Sequence, residues 1–334
     1  MKTHPHGKTQ GAPGRAWFAA VLLAAVPLAG LSAAVGAPAG PPAFTIDTVM
    51  AALKDTYPQA RRVSEALPPG VETHEGIAYS RPGGIALALD IYRPADRRVL
   101  PAVLVVHGGG WIAGDRTMER PFARSLATRG YVAVPVSYRL GRPGRYPAPV
   151  LDLRAAVRWL RAHAGEYAIA PDRIAAVGGS AGGTLVASLG ASNGEWIGPG
   201  DEAGPADVQA IVDIDGTVTF LDNRLIRKSE MSPSPYLEYM HGAYGDAPAA
   251  WVAASPITHV TRRSAPTLFI MSSTSQPILA GREEMAERLS ILGIDAAIVR
   301  IPGTPHTFWL VHPWFERVVE ETDRFLAAHL RGRP

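Results

Sequence analysis

Ser180 stands in Gly178-Gly179-Ser180-Ala181-Gly182, a G-x-S-x-G motif that directly follows an apolar run, Arg173 to Val177, and precedes small residues from Gly183 to Gly190. That context predicts a strand, a sharp turn and a helix. Such a turn exposes the serine hydroxyl, its small neighbours let the chain reverse tightly, and the helix N-terminus faces developing negative charge. A phosphate cradle also uses glycines, but it wants a lysine nearby and there is none. The chemistry implied is nucleophilic attack on an acyl carbon.

A second glycine loop, His107-Gly108-Gly109-Gly110-Trp111, ends the apolar run Ala102 to Val106. The backbone N–H groups of Gly109 and Gly110, together with that of Ala181, are the expected oxyanion donors. Loss of one such donor costs roughly 3 kcal/mol of transition-state stabilisation. His107, at a strand end, reads as a packed, hydrogen-bonded histidine, and Trp111 reads as either a wall of the substrate pocket or a core residue. The general base is expected after the last core strand, where Ile301-Pro302-Gly303-Thr304-Pro305-His306 carries His306 on a Pro/Gly-rich loop. His312 is its close rival; His329 belongs to a terminal helix, and His4 and His6 to the leader.

Short apolar runs that alternate with helical spacing must position these groups. They are Ala102 to Val106, Tyr131 to Ser137, Arg173 to Gly178, Val208 to Ile214, Thr267 to Met271 and Ala296 to Ile301. Helical candidates lie between them at Val150 to Ala164 and Arg282 to Leu292. The alternation predicts an α/β fold with a mostly parallel sheet covered on both faces. Ahead of it, Gly76 to Tyr79 and Ile85 to Tyr92 read as an N-terminal β-hairpin turned by Arg81-Pro82-Gly83-Gly84, and Phe44 to Ala60 has helical spacing. Residues 216–250 break the rhythm and read as an insertion at the mouth of the site.

Composition narrows the class. Among 334 residues, 33 Lys plus Arg oppose 30 Asp plus Glu, and the excess of +3 is accounted for by Lys2, Lys8 and Arg15. The remainder is formally neutral with no basic run, which argues against nucleic acid. The three basic residues precede an uncharged apolar stretch, Ala16 to Leu31, and then small residues, the order of a secretory signal peptide over residues 1–36. Pro27, Gly30 and the small residues weaken the other reading, a membrane anchor. The expectation is export to the periplasm or beyond, with no stable membrane association after cleavage. Residues 37–72 then form a spacer and helix, and residues 73–334 the catalytic domain. There is no cysteine, hence neither a disulfide framework nor a lipid-modified cysteine.

From about Gly76 to His329 the chain resembles the α/β-hydrolase superfamily, in the esterase branch with an HGGGW loop and a GGSAGG elbow. Within that branch, Ala254 to Val260, Pro266 to Ser273, Ala280-Gly281-Arg282 and Pro305 to Leu310 look like polysaccharide-directed esterases, including pectin and hemicellulose esterases. The resemblance implies a serine ester hydrolase with no metal and no cofactor. The family pattern usually has an Asp after the strand Thr267 to Met271, yet Ser272 to Gly281 contains no carboxylate. The preceding strand ends in Asp215 at its carboxyl edge, where open α/β sheets place their sites, and some members of the superfamily carry their acid there. Asp215 is the expected acid. Asp213 lies on the same strand face but deeper, which suits a structural hydrogen bond; Glu283, Glu284 or no acid at all are the other possibilities.

The expected mechanism has Ser180 attacking an ester carbonyl, His306 moving the proton and Asp215 orienting the imidazole. Export and the branch resemblance favour an acylated or methyl-esterified plant polysaccharide or oligosaccharide, with Arg282, Arg224 or Arg227 available to hold a uronate carboxylate. The alternatives are an exported peptidase or amidase on the same triad, and a non-catalytic hydrolase-fold binding protein.

Overall fold

The computed structural model describes residues 43–202, 204–231, 234–273 and 280–331, so the expected leader lies outside the described residues. The described residues form one compact unit. Its strands are β1 (Arg61–Arg62), β2 (Val71–Ser80), β3 (Leu87–Pro94), β4 (Leu100–Val106), β5 (Val132–Val136), β6 (Ile169–Gly179), β7 (Ala210–Ile214), β8 (Thr267–Ser272), β9 (Ala296–Ile301) and β10 (Val311–His312). Eight of them build one sheet in the order β2-β3-β5-β4-β6-β7-β8-β9, and β1 pairs with β10 apart from it. The expected hairpin is β2–β3, antiparallel, and β3 joins the sheet antiparallel to β5. From β5 to β9 every pairing is parallel. This is the α/β-hydrolase fold.

The strand order contains one reversal that matters for function. β5 lies on one side of β4 and β6 on the other. A crevice opens at such a switch point beyond the carboxyl ends of the strands, and the two glycine loops leave the sheet there, His107 to Trp111 after β4 and Ser180 after β6.

Every residue of β4 is buried, which is why its sequence is continuously apolar rather than alternating. Ala102, Leu104 and Val106 face one core layer, and Val103 and Val105 the other. The first layer is closed by α3 (Ala148–Ala162) and α4 (Ala181–Ala191), through Leu153, Val157, Leu185 and Leu189. The second is closed by α2 (Arg120–Ala127), α9 (Phe315–Leu330) and α1 (Ile46–Leu53), through Phe122, Leu126, Val318, Leu326 and Val49.

The first helix is shorter than the spacing of Phe44 to Ala60 predicts. Thr45 caps it with a reciprocal box to Thr48, but Pro58 disfavours helical backbone at the residue before it. The insertion is helical in short pieces, α5 (Asn223–Ser229), α6 (Pro235–Tyr239) and α7 (Pro248–Ala254), before α8 (Arg282–Ile291) restores the α/β alternation.

Candidate active site

Ser180 occupies the turn between β6 and α4 with φ 55° and ψ −120°, a conformation that a non-glycine residue adopts only under constraint. Neighbouring backbone supplies that constraint. Ser180 N–H donates to Ile214 O of β7 at 2.8 Å. A Cβ at position 182 would lie 2.1 Å from Val106 O, so only glycine lets the first turn of α4 pass so close to the end of β4.

Three side chains from three separate loops then meet. His306 Nε2 lies 2.8 Å from Ser180 Oγ, and His306 Nδ1 lies 3.0 Å from Asp215 Oδ2. With the proton on Nδ1 donated to the carboxylate, Nε2 is left to accept from the hydroxyl, the arrangement that activates a serine. Asp215 is itself held at a positive φ of 51°. Its N–H donates to Ile270 O of β8 at 3.0 Å, and its second carboxylate oxygen accepts from Ser272 N–H at 2.8 Å. The end of β8 thus anchors this carboxylate, which is not carried by the loop after that strand. It is also tied to the base loop, because Ser273 and Thr304 exchange backbone-to-hydroxyl hydrogen bonds at 3.2 Å in both directions.

The deeper carboxylate has a different task. Asp213 is fully buried, its Oδ1 accepts from Gly216 N–H at 2.6 Å, and its other oxygen stands 3.7 Å from Arg282 Nε. Arg282 donates in turn to Gly216 O. The residue next to Asp215 is therefore gripped through both its N–H and its carbonyl. Burial pushes the Asp213 carboxyl up to about 6, against the opposing pull of Arg282. Arg282 is fully buried as well, so the expectation that it meets a substrate carboxylate is corrected: the guanidinium faces the protein interior. Arg224 is exposed and pairs with Asp222 at 3.0 Å.

The remaining rivals are committed elsewhere. His312 Nδ1 faces Glu316 at 2.8 Å, Glu283 pairs with Arg300, and Glu284 with Arg288. His107 is buried and stacks on Tyr138 at 4.4 Å. Burial drives its imidazole down to about 4, so it stays neutral as a packing residue.

On the oxyanion side, the loop after β4 lies beside the elbow: a Cβ on Gly108 would come within 3.3 Å of Ser180 Cβ. Gly109 O accepts from Ile112 N–H and Ala113 N–H, which turns the loop. Among the described residues, no backbone hydrogen bond occupies the N–H of Gly109 or Gly110, and Ala181 N–H is a first-turn donor of α4. Trp111 is corrected from a pocket wall to a core residue. Only 4% exposed, it stacks on Tyr239 at 4.4 Å and lies 5.9 Å from Phe220, inside an aromatic cluster contributed by the insertion.

One contributor carried no sequence signal. Glu119, at the start of α2, is buried and accepts from Trp309 Nε1 at 3.3 Å, while the Trp309 ring stands edge-on to His306 at 5.9 Å. Burial pushes this carboxyl up to about 8, partly offset by the indole N–H. Among the described residues no cluster of His, Cys, Asp or Glu could hold a metal ion.

Known proteins share this frame. A family model described as BD-FAE matches residues 89–283. Esterase LipQ of Mycobacterium tuberculosis is 30% identical over 262 residues, covering 75% of this chain and 61% of LipQ. The chain spans about three-fifths of the length of the curated relatives it matches. Among solved structures, propionate-bound Est2, an esterase from Thermogutta terrifontis, aligns with a TM-score of 0.64 at 25% identity, over 80% of this chain and 97% of that one. A truncated carbohydrate esterase from gut microbiota shares the fold with a TM-score of 0.65 at 19% identity, over 80% of this chain and 100% of that one. With the family match running from β3 through the elbow and the acid to the start of α8, the chain belongs to the BD-FAE family, an esterase family of the α/β-hydrolase fold.

Proposed function

We propose that the chain is a serine carboxylic-ester hydrolase that works through an acyl-enzyme. Ser180 Oγ attacks the ester carbonyl as His306 Nε2 takes its proton, and the carbonyl oxygen becomes an oxyanion facing the N–H groups of Gly109, Gly110 and Ala181. Collapse of the intermediate breaks the bond to the alcohol, which leaves with the proton from His306. Water then attacks the acyl-enzyme by the same route, releasing the acid and restoring Ser180. Asp215 keeps Nδ1 protonated and supports the imidazolium. The observation that carries this reading is the hydrogen-bonded chain Ser180–His306–Asp215 at 2.8 and 3.0 Å.

The substrate we propose is an acylated polysaccharide or oligosaccharide. The sequence resemblance and the gut carbohydrate esterase of the same fold support it. A methyl-esterified uronate is the other substrate form we propose, with Arg282, buried in the protein, removed from the groups that could hold a neighbouring carboxylate. The apolar leader supports export, testable by fractionating cells that express the full chain.

The decisive experiment compares wild type with Ser180→Ala on p-nitrophenyl acetate, then on acetylated xylan, feruloylated arabinoxylan and methylated pectin. The variant should retain its fold and no more than a few per cent of the activity. Greater retention moves the nucleophile elsewhere.

A further inference from the structure

One cleft has Phe44, a neighbour of the oxyanion loop, in its wall. Its volume is about 200 Å³, and it runs between the segment Phe44–Ile46 and the start of α2. Phe44 connects it to the nucleophile. A Cβ on Gly108 would lie 3.6 Å from Phe44 Cε1 and 3.3 Å from Ser180 Cβ, so the phenyl edge and the serine meet the same glycine of the oxyanion loop. Leu310 lines it as well, and ends the 3₁₀ turn Phe308–Leu310 that follows His306 in the chain.

The oxyanion loop is covered at Gly110 and Trp111. Trp111 stacks on Tyr239 there, and Pro235 of α6 packs over Gly110. Aromatic rings and Pro235 thus cover the loop at Gly110 and Trp111, whereas the cleft lies beside Phe44.

The lining states what that space would accept. Phe44, Ile46, Val63, Met118, Pro121 and Leu310 make it apolar. Its charged members are Glu65, Asp115 and Arg120, and Arg120 is already engaged, with Glu75 at 3.0 Å and Asp90 at 3.7 Å. Two carboxylates and a committed guanidinium leave an anionic guest without a counter-charge, and desolvating it uncompensated is costly. As to size, an apolar cavity of about 150 Å³ takes a benzene ring.

We propose that this cleft receives a neutral apolar group of the ester substrate, a short aliphatic chain or a single ring, and rejects anionic groups of the same length. The group can belong to the acyl part or to the alcohol. The inference rests on Ser180 being the nucleophile. Phe44, Met118 and Leu310 are its specificity-determining residues, since a hydrophobic pocket discriminates by about 10- to 200-fold per methylene gained or lost.

The test uses two substrate series and measures kcat/KM. The acyl series is p-nitrophenyl acetate, p-nitrophenyl hexanoate and mono-p-nitrophenyl adipate; the alcohol series is ethyl, hexyl and benzyl acetate. Wild type should prefer the apolar member over the smallest one in at least one series, and hexanoate over the length-matched anionic adipate by about tenfold. Thr117→Trp, at an exposed position on the cleft wall, should fill the space and cut that apolar preference about tenfold in the same series. That series identifies which part of the ester enters. Glu65→Lys, also exposed, should raise adipate relative to hexanoate several-fold. An apolar preference that Thr117→Trp leaves unchanged, or adipate accepted by wild type as well as hexanoate, overturns the proposal while Ser180-dependent hydrolysis of acetate still stands. Ester hydrolysis that survives Ser180→Ala overturns the parent reading instead.

Discussion

His306 takes its carboxylate from the end of β7: Nδ1 lies 3.0 Å from Asp215 Oδ2, and the other oxygen of the same carboxylate is held by Ser272 N–H from the end of β8 at 2.8 Å. Two adjacent strands thus share the work of supplying and anchoring one acid. The carboxylate is held at both oxygens, so in the proposed mechanism the imidazole needs no rearrangement of its partner when it becomes charged.

Asp215→Asn should preserve the shape of the turn while leaving the imidazole in the wrong tautomer and its cation unsupported. The expected loss in kcat is up to about 10⁴-fold, read at saturating substrate so that a change in KM is not mistaken for it. A variant within about tenfold of wild type would remove Asp215 from the triad.

Asp213 and Arg282 should matter first for stability. Asp213→Asn leaves a buried guanidinium without its counter-charge, which costs about 3–5 kcal/mol when one partner of a buried pair is removed. The double variant Asp213→Asn, Arg282→Met should recover part of that loss, and a denaturant double-mutant cycle measures it. Because the pair grips Gly216, the Asp213 variant should also lower kcat, but far less than Asp215→Asn. Additive losses across the cycle would mean that the two residues act independently.

Glu119 should write a pH dependence into stability. Its folded value of about 8 lies above the ordinary carboxyl range, so between the two the folded chain holds a proton that the unfolded chain has released. The contribution of the neutral carboxyl is therefore complete in acid, falls as pH rises toward 8, and is flat beyond. Glu119→Gln cannot ionise and lacks this slope. In thermal melts at pH 5, 6.5 and 8, the Tm of wild type minus that of the variant should decrease steadily; a constant difference refutes the assignment.

Chelation should be without effect. The proposed steps pass from hydroxyl to imidazole to leaving group without a metal, so incubation with EDTA is expected to leave kcat/KM unchanged for p-nitrophenyl acetate. An activity lost to EDTA and restored by a divalent cation would contradict the mechanism.

How much of this was legible in the residues follows from the range over which each feature is determined. The elbow around Ser180 and the glycine loop after β4 are local: a strained reversal between strand and helix admits only small neighbours at set spacing, so Gly178 to Gly182 announce it. The parallel core is nearly local too, since strands buried on both faces must be continuously apolar, and β4 is. Asp215 was readable at one remove, as a carboxylate at the carboxyl edge of a strand beside a loop that has none. Burial and side-chain direction are a different matter, because they depend on what packs against a residue from far along the chain. Arg282 carries a charge at the start of a helix, which says surface, yet it ends fully buried against Gly216, the neighbour of Asp215. Trp111 follows three glycines at the crevice, which says pocket, yet Tyr239 and Phe220 from the insertion cover it. Phe44 lies near the expected leader, and Glu119 opens a helix in an unremarkable stretch. Only the tertiary structure brings one against the oxyanion loop and the other beneath the tryptophan beside His306, because residue type alone cannot say which distant surfaces a chain will fold together.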